Sequence, residues 1–296
     1  LMDRLYKIKK GLDLKLEGEA VAKLTVLPLS EEYAVMPTDF PGVMPRAIVK
    51  EGDKVLAGDA LFVDKATESI KFVSPVSGTV VGVERGERRK LLRFRVKADK
   101  EQLYKDFGVK NPSKLTGSEV KQLMLESGLF AFVRQRPYDV IANAADEPKA
   151  IFVSAFSKMP LAADFSFVSA GRAADFKEGI KALARIATVN LGISPEQINS
   201  QLLPISEAVV SVFDGPNPSG NVGVHINHVN PVNKGEVVWT LNAEMVVVLG
   251  SLLRTGKLDM KRRLAVAGSE VKEPQYVETL VGACLLYTSD AADDKA

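Results

Sequence analysis

Cysteine is nearly absent from this 296-residue chain: the one copy, Cys284, opens the closing string CLLYTSDAADDKA. That string breaks the charged, alternating style before it and resembles a translated sequencing adapter, so residues 284–296 are read as a non-native tail. The natural C-terminus is then expected to be lost by truncation, and the leading Leu1 suggests a ragged start as well. Without that tail there is no thiol, which excludes disulfides, a cysteine-held iron–sulfur cluster and a thiol nucleophile. Long apolar runs are missing too. Met245–Leu253 is interrupted by Gly250 and Ser251, far short of the ~18 residues a membrane span needs. LMDRLYKIKKGLDL at the N-terminus has no apolar core for a secretory signal. Nor does one sign of charge prevail: 39 basic against 37 acidic residues leave a net +2, which implies no general attraction to nucleic acid or anionic lipid. These absences point to a cytosolic chain that reaches a membrane only through a partner.

What is present suits an ordinary folded protein, with 46% hydrophobic and 26% charged residues, enough to exclude wholesale disorder. Residues 1–100 carry short alternating runs separated by EGD and AGD turns, the pattern of small antiparallel hairpins. From 101 to 148 the style becomes helical and linker-like. Thr116 and Glu119 form a T-x-x-E capping box, and Gly128 can end that helix in the left-handed conformation. Residues 149–258 alternate buried apolar runs (AIFVSAF, EAVVSVF, EVVWTLN) with helical segments. One helix presents Phe176, Ile180, Leu183 and Ala187, and the other is predicted over Ala243–Thr255 between an Asn242 cap and Gly256. Strands alternating with helices imply a mostly parallel sheet. Short β-like runs return over 259–283, where they are expected to lack partners and fray.

Three stretches invite chemistry. VKEGDKVLAGDALFVDKATESIKFVSPVSGTVVGVERGE, residues 49–87, is similar to the biotinyl/lipoyl-type barrel-sandwich hybrid, with Gly52, Gly58 and Gly78 at tight turns. A carrier needs a lysine at the hairpin tip, and the tip position is Thr67, with Lys65 and Lys71 off it. LSEEYAVMPTDF and FVRQRPYDV together offer Tyr33, Met36, Phe40, Arg134, Arg136, Pro137 and Tyr138. They fit either an apolar groove with donors for quinone carbonyls or a seam between domains, and the seam is the commoner use of such residues. Last, DGPNPSGNVGVHINHV (214–229) gathers Gly215, Gly220, Gly223, His225 and His228. Its glycine spacing is not the dinucleotide fingerprint, and no P-loop lysine is present. Read as a strand, VGVHINHV points its two histidines to opposite faces, which excludes a metal pair. An ordered turn, or backbone amides gathered for an anionic or carbonyl ligand, remains.

Taken in order, KIKKGLDL, the barrel-sandwich segment, ESGLFAFVRQRPY, PKAIFVSAF, DGPNPSGNVGVHINHVNPV, VVWTLN and TGKLDMKRRLAVAG resemble the A-subunit family of the Na+-translocating NADH:quinone reductases, from about Lys7 to Ala283. Phe130 and Asn217 stand where that family commonly has tryptophan and histidine. The resemblance implies an α+β multidomain chain. A barrel-sandwich hybrid domain over 1–100 is followed by the helical linker over 101–148. An α/β domain similar to the flavin subunit of respiratory complex I fills 149–258, and 259–283 begins a β-grasp domain. It further implies a peripheral subunit on the cytoplasmic face of the bacterial inner membrane. Such a subunit binds no redox cofactor tightly, contributes to a ubiquinone site and leaves NADH, flavins and the iron–sulfur cluster to partner subunits. A stand-alone flavin/NADH oxidoreductase and a lipoyl-type carrier are the competing readings.

Overall fold

A computed structural model describes residues 4–283; Cys284 and the rest of the tail lie outside the described residues. Two strands open the chain, β1 (Arg4–Lys7) and β2 (Val21–Val26). Seven short strands follow: β3 (Glu32–Val35), β4 (Pro45–Ala47), β5 (Lys54–Val55), β6 (Ala60–Asp64), β7 (Lys71–Val73), β8 (Gly78–Arg85) and β9 (Leu91–Ala98). They form two small sheets, β3-β9-β8-β5 and β4-β6-β7. In β8, alternate residues are buried because the strand packs one face only. Phe62 fixes the packing between the sheets, stacked 4.4 Å from Phe72 and 4.9 Å from Phe94. Thr67 sits in the turn between β6 and β7 as expected, while Lys71 is a ladder residue opposite Val63.

The helix α1 (Gly117–Glu126) has the full Thr116/Glu119 capping box, and Gly128 follows at φ 78°. Then come β10 (Arg134–Arg136), β11 (Val140–Ile141), β12 (Ile151–Ser154), α2 (Phe165–Val168), α3 (Ala173–Leu183), β13 (Val189–Ile193), β14 (Ala208–Asp214), α4 (Val222–Val229), β15 (Val238–Thr240) and α5 (Ala243–Thr255). The last described strands are β16 (Lys261–Val266) and β17 (Gln275–Leu280). The large sheet runs β1-β14-β13-β12-β15-β10-β11; its first five strands are parallel and the last two antiparallel. One face, with Val153, Leu191 and Val212, joins the main core with α3 and α5. The other, with Phe152 and Val238, is covered by α4. As the Asn242 and Gly256 signals predict, α5 starts on the Asn242 side chain and ends at Gly256, φ 71°.

Three expectations need correction. VGVHINHV is the helix α4, not a strand: its β-branched residues suggest a strand, yet Val222, Ile226 and Val229 recur at helical spacing and Asn221 caps the Gly223 amide. The strands beyond residue 259 do have partners, because β17 pairs with β16 on one side and with β2 on the other. And β1, counted with the first domain from sequence, is an edge strand of the α/β sheet, as β10 and β11 of the linker are on the opposite side. Among the described residues no helix is long and apolar enough to cross a membrane.

Candidate functional site

The carboxyl ends of parallel strands are where open α/β sheets usually bind ligands. Here the chain lies across that cleft itself. Leaving β1, the Ile8 amide donates to the Asp214 carbonyl at 2.7 Å and the Leu12 amide to the Asn217 carbonyl at 3.0 Å. The Asn217 amide in turn donates to Asp13 Oδ1 at 2.7 Å. The glycines permit this closeness. A Cβ on Gly215 (φ 138°) would fall 2.2 Å from the Ile8 carbonyl oxygen, and one on Gly11 would fall 2.0 Å from that of Asn217. On the other side the Ser154 hydroxyl donates to the Gly220 carbonyl at 2.9 Å.

His225 anchors the loop from beneath. Its ring is buried, stacked 3.9 Å from Phe213 and 5.8 Å from Phe156, with Nε2 2.7 Å from the Ser219 carbonyl. Burial pulls its pKa down to about 4, so at neutral pH the imidazole is uncharged and Nε2 carries the proton given to Ser219. Nδ1 has no hydrogen-bond partner among the described residues and lies against Gly192, whose hypothetical Cβ would be 2.3 Å away. His228 is exposed, with Nδ1 2.9 Å from the Val224 carbonyl. Helical spacing brings both histidines to Phe213, but no group of three metal-ligating side chains exists among the described residues. Gly215, Gly220, Gly223, His225 and His228 thus belong to one loop-and-helix unit, across which Ile8–Asp13 is bonded, with a cavity of about 370 Å³ beside it between Asp13 and Ser157–Ala162. Sequence reading missed Ser154 and the Ile8–Asp13 segment, because nothing local in KIKKGLDL signals a contact two hundred residues away.

The residues suggested for a quinone divide into two groups. Tyr33 is 2% exposed and its hydroxyl accepts from the Ser30 amide at 3.0 Å. Phe40 meets Phe72 and Phe132 edge-on, at 4.6 and 5.8 Å, beside an apolar cavity of about 40 Å³ that Met260 also lines; Met36 is exposed nearby in sequence. Arg134 and Arg136 lie on β10 and converge on Asp139, Nε to Oδ1 at 3.3 and 3.4 Å, and Arg134 Nη2 also donates to the Asp139 carbonyl. Pro137 and Tyr138 form the turn after β10, where Tyr138 is 79% exposed. Contact between the two segments runs through Phe40 and Phe132, while the arginines are engaged by Asp139.

Two family models match in order. The NqrA N-terminal barrel-sandwich hybrid domain covers residues 6–99, and the NqrA second alpha/beta domain covers residues 115–258. The chain belongs to the NqrA family. Among similar proteins, the Na(+)-translocating NADH-quinone reductase A-subunit of Marinomonas sp. is 36% identical over 283 residues, spanning 95% of this chain and 63% of that protein. Its counterpart of the same name in Neisseria meningitidis is 34% identical over 287 residues, with 94% and 63% covered. This NqrA-family chain therefore spans a little under two thirds of the length of the curated relatives it matches. The solved NAD+-reducing [NiFe]-hydrogenase in the air-oxidized state aligns over 50% of the chain and 33% of its own, at 17% identity and a TM-score of 0.36.

Proposed function

We propose that this chain serves in a Na+-translocating NADH:quinone reductase as a peripheral subunit on the cytoplasmic face of the bacterial inner membrane, held there by its partner subunits. Those partners carry the NADH site, the flavins and the iron–sulfur cluster. The chain itself contributes to the binding and reduction of a ubiquinone-type substrate, coupled to Na+ export, and holds no redox cofactor tightly. The observation that carries this reading is the order-preserving match to both NqrA domains and, along 94–95% of the chain, to relatives that bear that subunit's name. The closed cleft supports it: a flavin at the strand ends would have to displace Ile8–Asp13 and the loop bonded to them.

For the quinone, the Arg134–Arg136–Tyr138 turn is the better half of the candidate set. Preorganised cationic and hydroxyl donors stabilise a carbonyl oxygen as it gains electrons, whereas the Phe40 cavity of about 40 Å³ is too small for a ring. A titration of short-chain ubiquinone into the purified protein checks this. Saturable binding that weakens on the order of tenfold in Arg136→Ala or Tyr138→Phe is expected; unchanged binding in both would remove these residues from the site. Co-purification of membrane subunits with the tagged chain tests membership of the complex. A yellow protein with a flavin spectrum and its own NADH turnover would instead make it a stand-alone oxidoreductase.

A further inference from the structure

The N-terminal unit ends in an arm that the cleft and the quinone candidates leave unused. β3 pairs with β9 only from Phe94 to Lys97, and β5 with β8 only at Gly78 and Thr79, so past Val83 and Phe94 the two long strands have only each other as strand partners among the described residues. The arm closes in the turn Glu87–Lys90, where the Lys90 amide donates to the Glu87 carbonyl at 3.1 Å. Both central residues are arginines in the left-handed region, φ 53° at Arg88 and 60° at Arg89. Such a turn suits the twist of a hairpin but favours Asn-Gly, because a Cβ there crowds the following carbonyl. Backbone cost at an exposed tip, with no burial in return, is a reason to look for a use.

Charge supplies one. Lower in the hairpin every cation has a carboxylate: Arg93 with Glu84 at 2.6 Å, Arg95 with Glu32 at 2.7 Å and Glu84 at 2.9 Å, Lys97 with Glu31 at 3.5 Å. At the tip, Arg85, Arg88, Arg89 and Lys90 make no ion pair among the described residues, and Glu87 is the single acid between them. Leu92, 39% exposed, lies just behind.

We propose that this arm tip is a contact for an anionic lipid surface. A two-stranded arm offers no walls to enclose a ligand. Exposed cations on such an arm instead recognise a diffuse sheet of negative charge, and an apolar side chain beside them suits the headgroup boundary. Among the described residues the side chains of Arg88, Arg89 and Lys90 make no hydrogen bonds that would pre-orient them, so the fork geometry that rewards a protein carboxylate is not built in. This contact would add to the hold of the partner subunits and does not itself require them.

Flotation of the 296-residue chain with protein-free vesicles tests it, using phosphatidylcholine alone and phosphatidylcholine mixed with phosphatidylglycerol, at low and high salt. Binding is expected to the mixed vesicles at low salt and to be lost at high salt. Arg88→Asn combined with Arg89→Gly puts the preferred pair into the turn. Its thermal unfolding should therefore be no lower than wild type, while vesicle partitioning falls roughly thirtyfold, at about fivefold for each cation. Lys100→Gln with Lys272→Gln removes equal charge elsewhere and should leave partitioning unchanged. Equal partitioning of wild type and the turn variant overturns the lipid contact, as does an equal loss in the control or binding to phosphatidylcholine alone. Were the tip built for an acidic protein instead, the vesicles would recover no chain, which also overturns it.

Discussion

His225 shows how one side chain closes the cleft. It has no charge to offer at neutral pH, and its contribution is shape plus one hydrogen bond to Ser219. The sign of its pH effect follows from its lowered pKa. The unfolded chain takes a proton below about 6.5 and the folded chain resists until about 4, so its stabilisation is complete above pH 6.5 and is lost as pH falls toward 4. The loss is roughly 3 kcal/mol at most. Urea unfolding from pH 7.5 to 4.5 should show that slope, and His225→Phe, which keeps the stack but cannot titrate, should flatten it by about one proton. Gly192→Ala pushes a methyl into the same ring and is expected to cost on the order of 1–3 kcal/mol in the same assay. In the sequence the histidine pair is visible, but the strand reading sends its members to opposite faces, whereas α4 turns both toward Phe213. What decides its environment, Phe213 and Gly192 on neighbouring strands, is a product of sheet register.

Caps and turns, where sequence and structure agree best, are local chemistry. The Thr116/Glu119 box and the Asn242–Gly256 limits involve groups within a few residues of each other, so the one-dimensional pattern contains the whole interaction. Thr116→Ala should lower stability by about 1 kcal/mol in chemical denaturation, since it removes the acceptor of the Glu119 amide. Elements defined by packing are harder. β-branched residues suggest a strand for α4, while the Asn221 cap and the face it turns toward Phe152 and Val238 make it a helix. β10 and β11 are too short to announce themselves against a helical background. The barrel-sandwich hairpins are readable because their turns carry the signal, yet the composition near neutrality hides the uncompensated tip between β8 and β9.

At the scale of the molecule, residues 4–26 tie together units that the sequence separates. β1 completes the α/β sheet beside β14, and β2 completes the small sheet beside β17. A version lacking residues 1–13 should expose the β14 edge and reopen the cleft. Hydrogen exchange is the measurement: amides from Ser211 to Asp214 should lose protection while those of β12 keep theirs. Protection that stays the same would mean that β1 is dispensable to the sheet. Pairings of this range leave no trace in periodicity, which is why the connections of β1 to β14 and of β2 to β17 are not legible in the sequence.

The placement of β2 also sets a timetable. Thr25 donates to Gln275 across 250 residues of chain, so the strand made among the first is joined only when one of the last described segments exists. At ribosomal rates of about 5–20 residues per second, Val21–Val26 waits on the order of ten to fifty seconds after its synthesis, with its backbone donors in water. Lys23, exposed within that strand, is well suited to that wait, because a charged residue on an open strand discourages pairing with a neighbouring nascent chain.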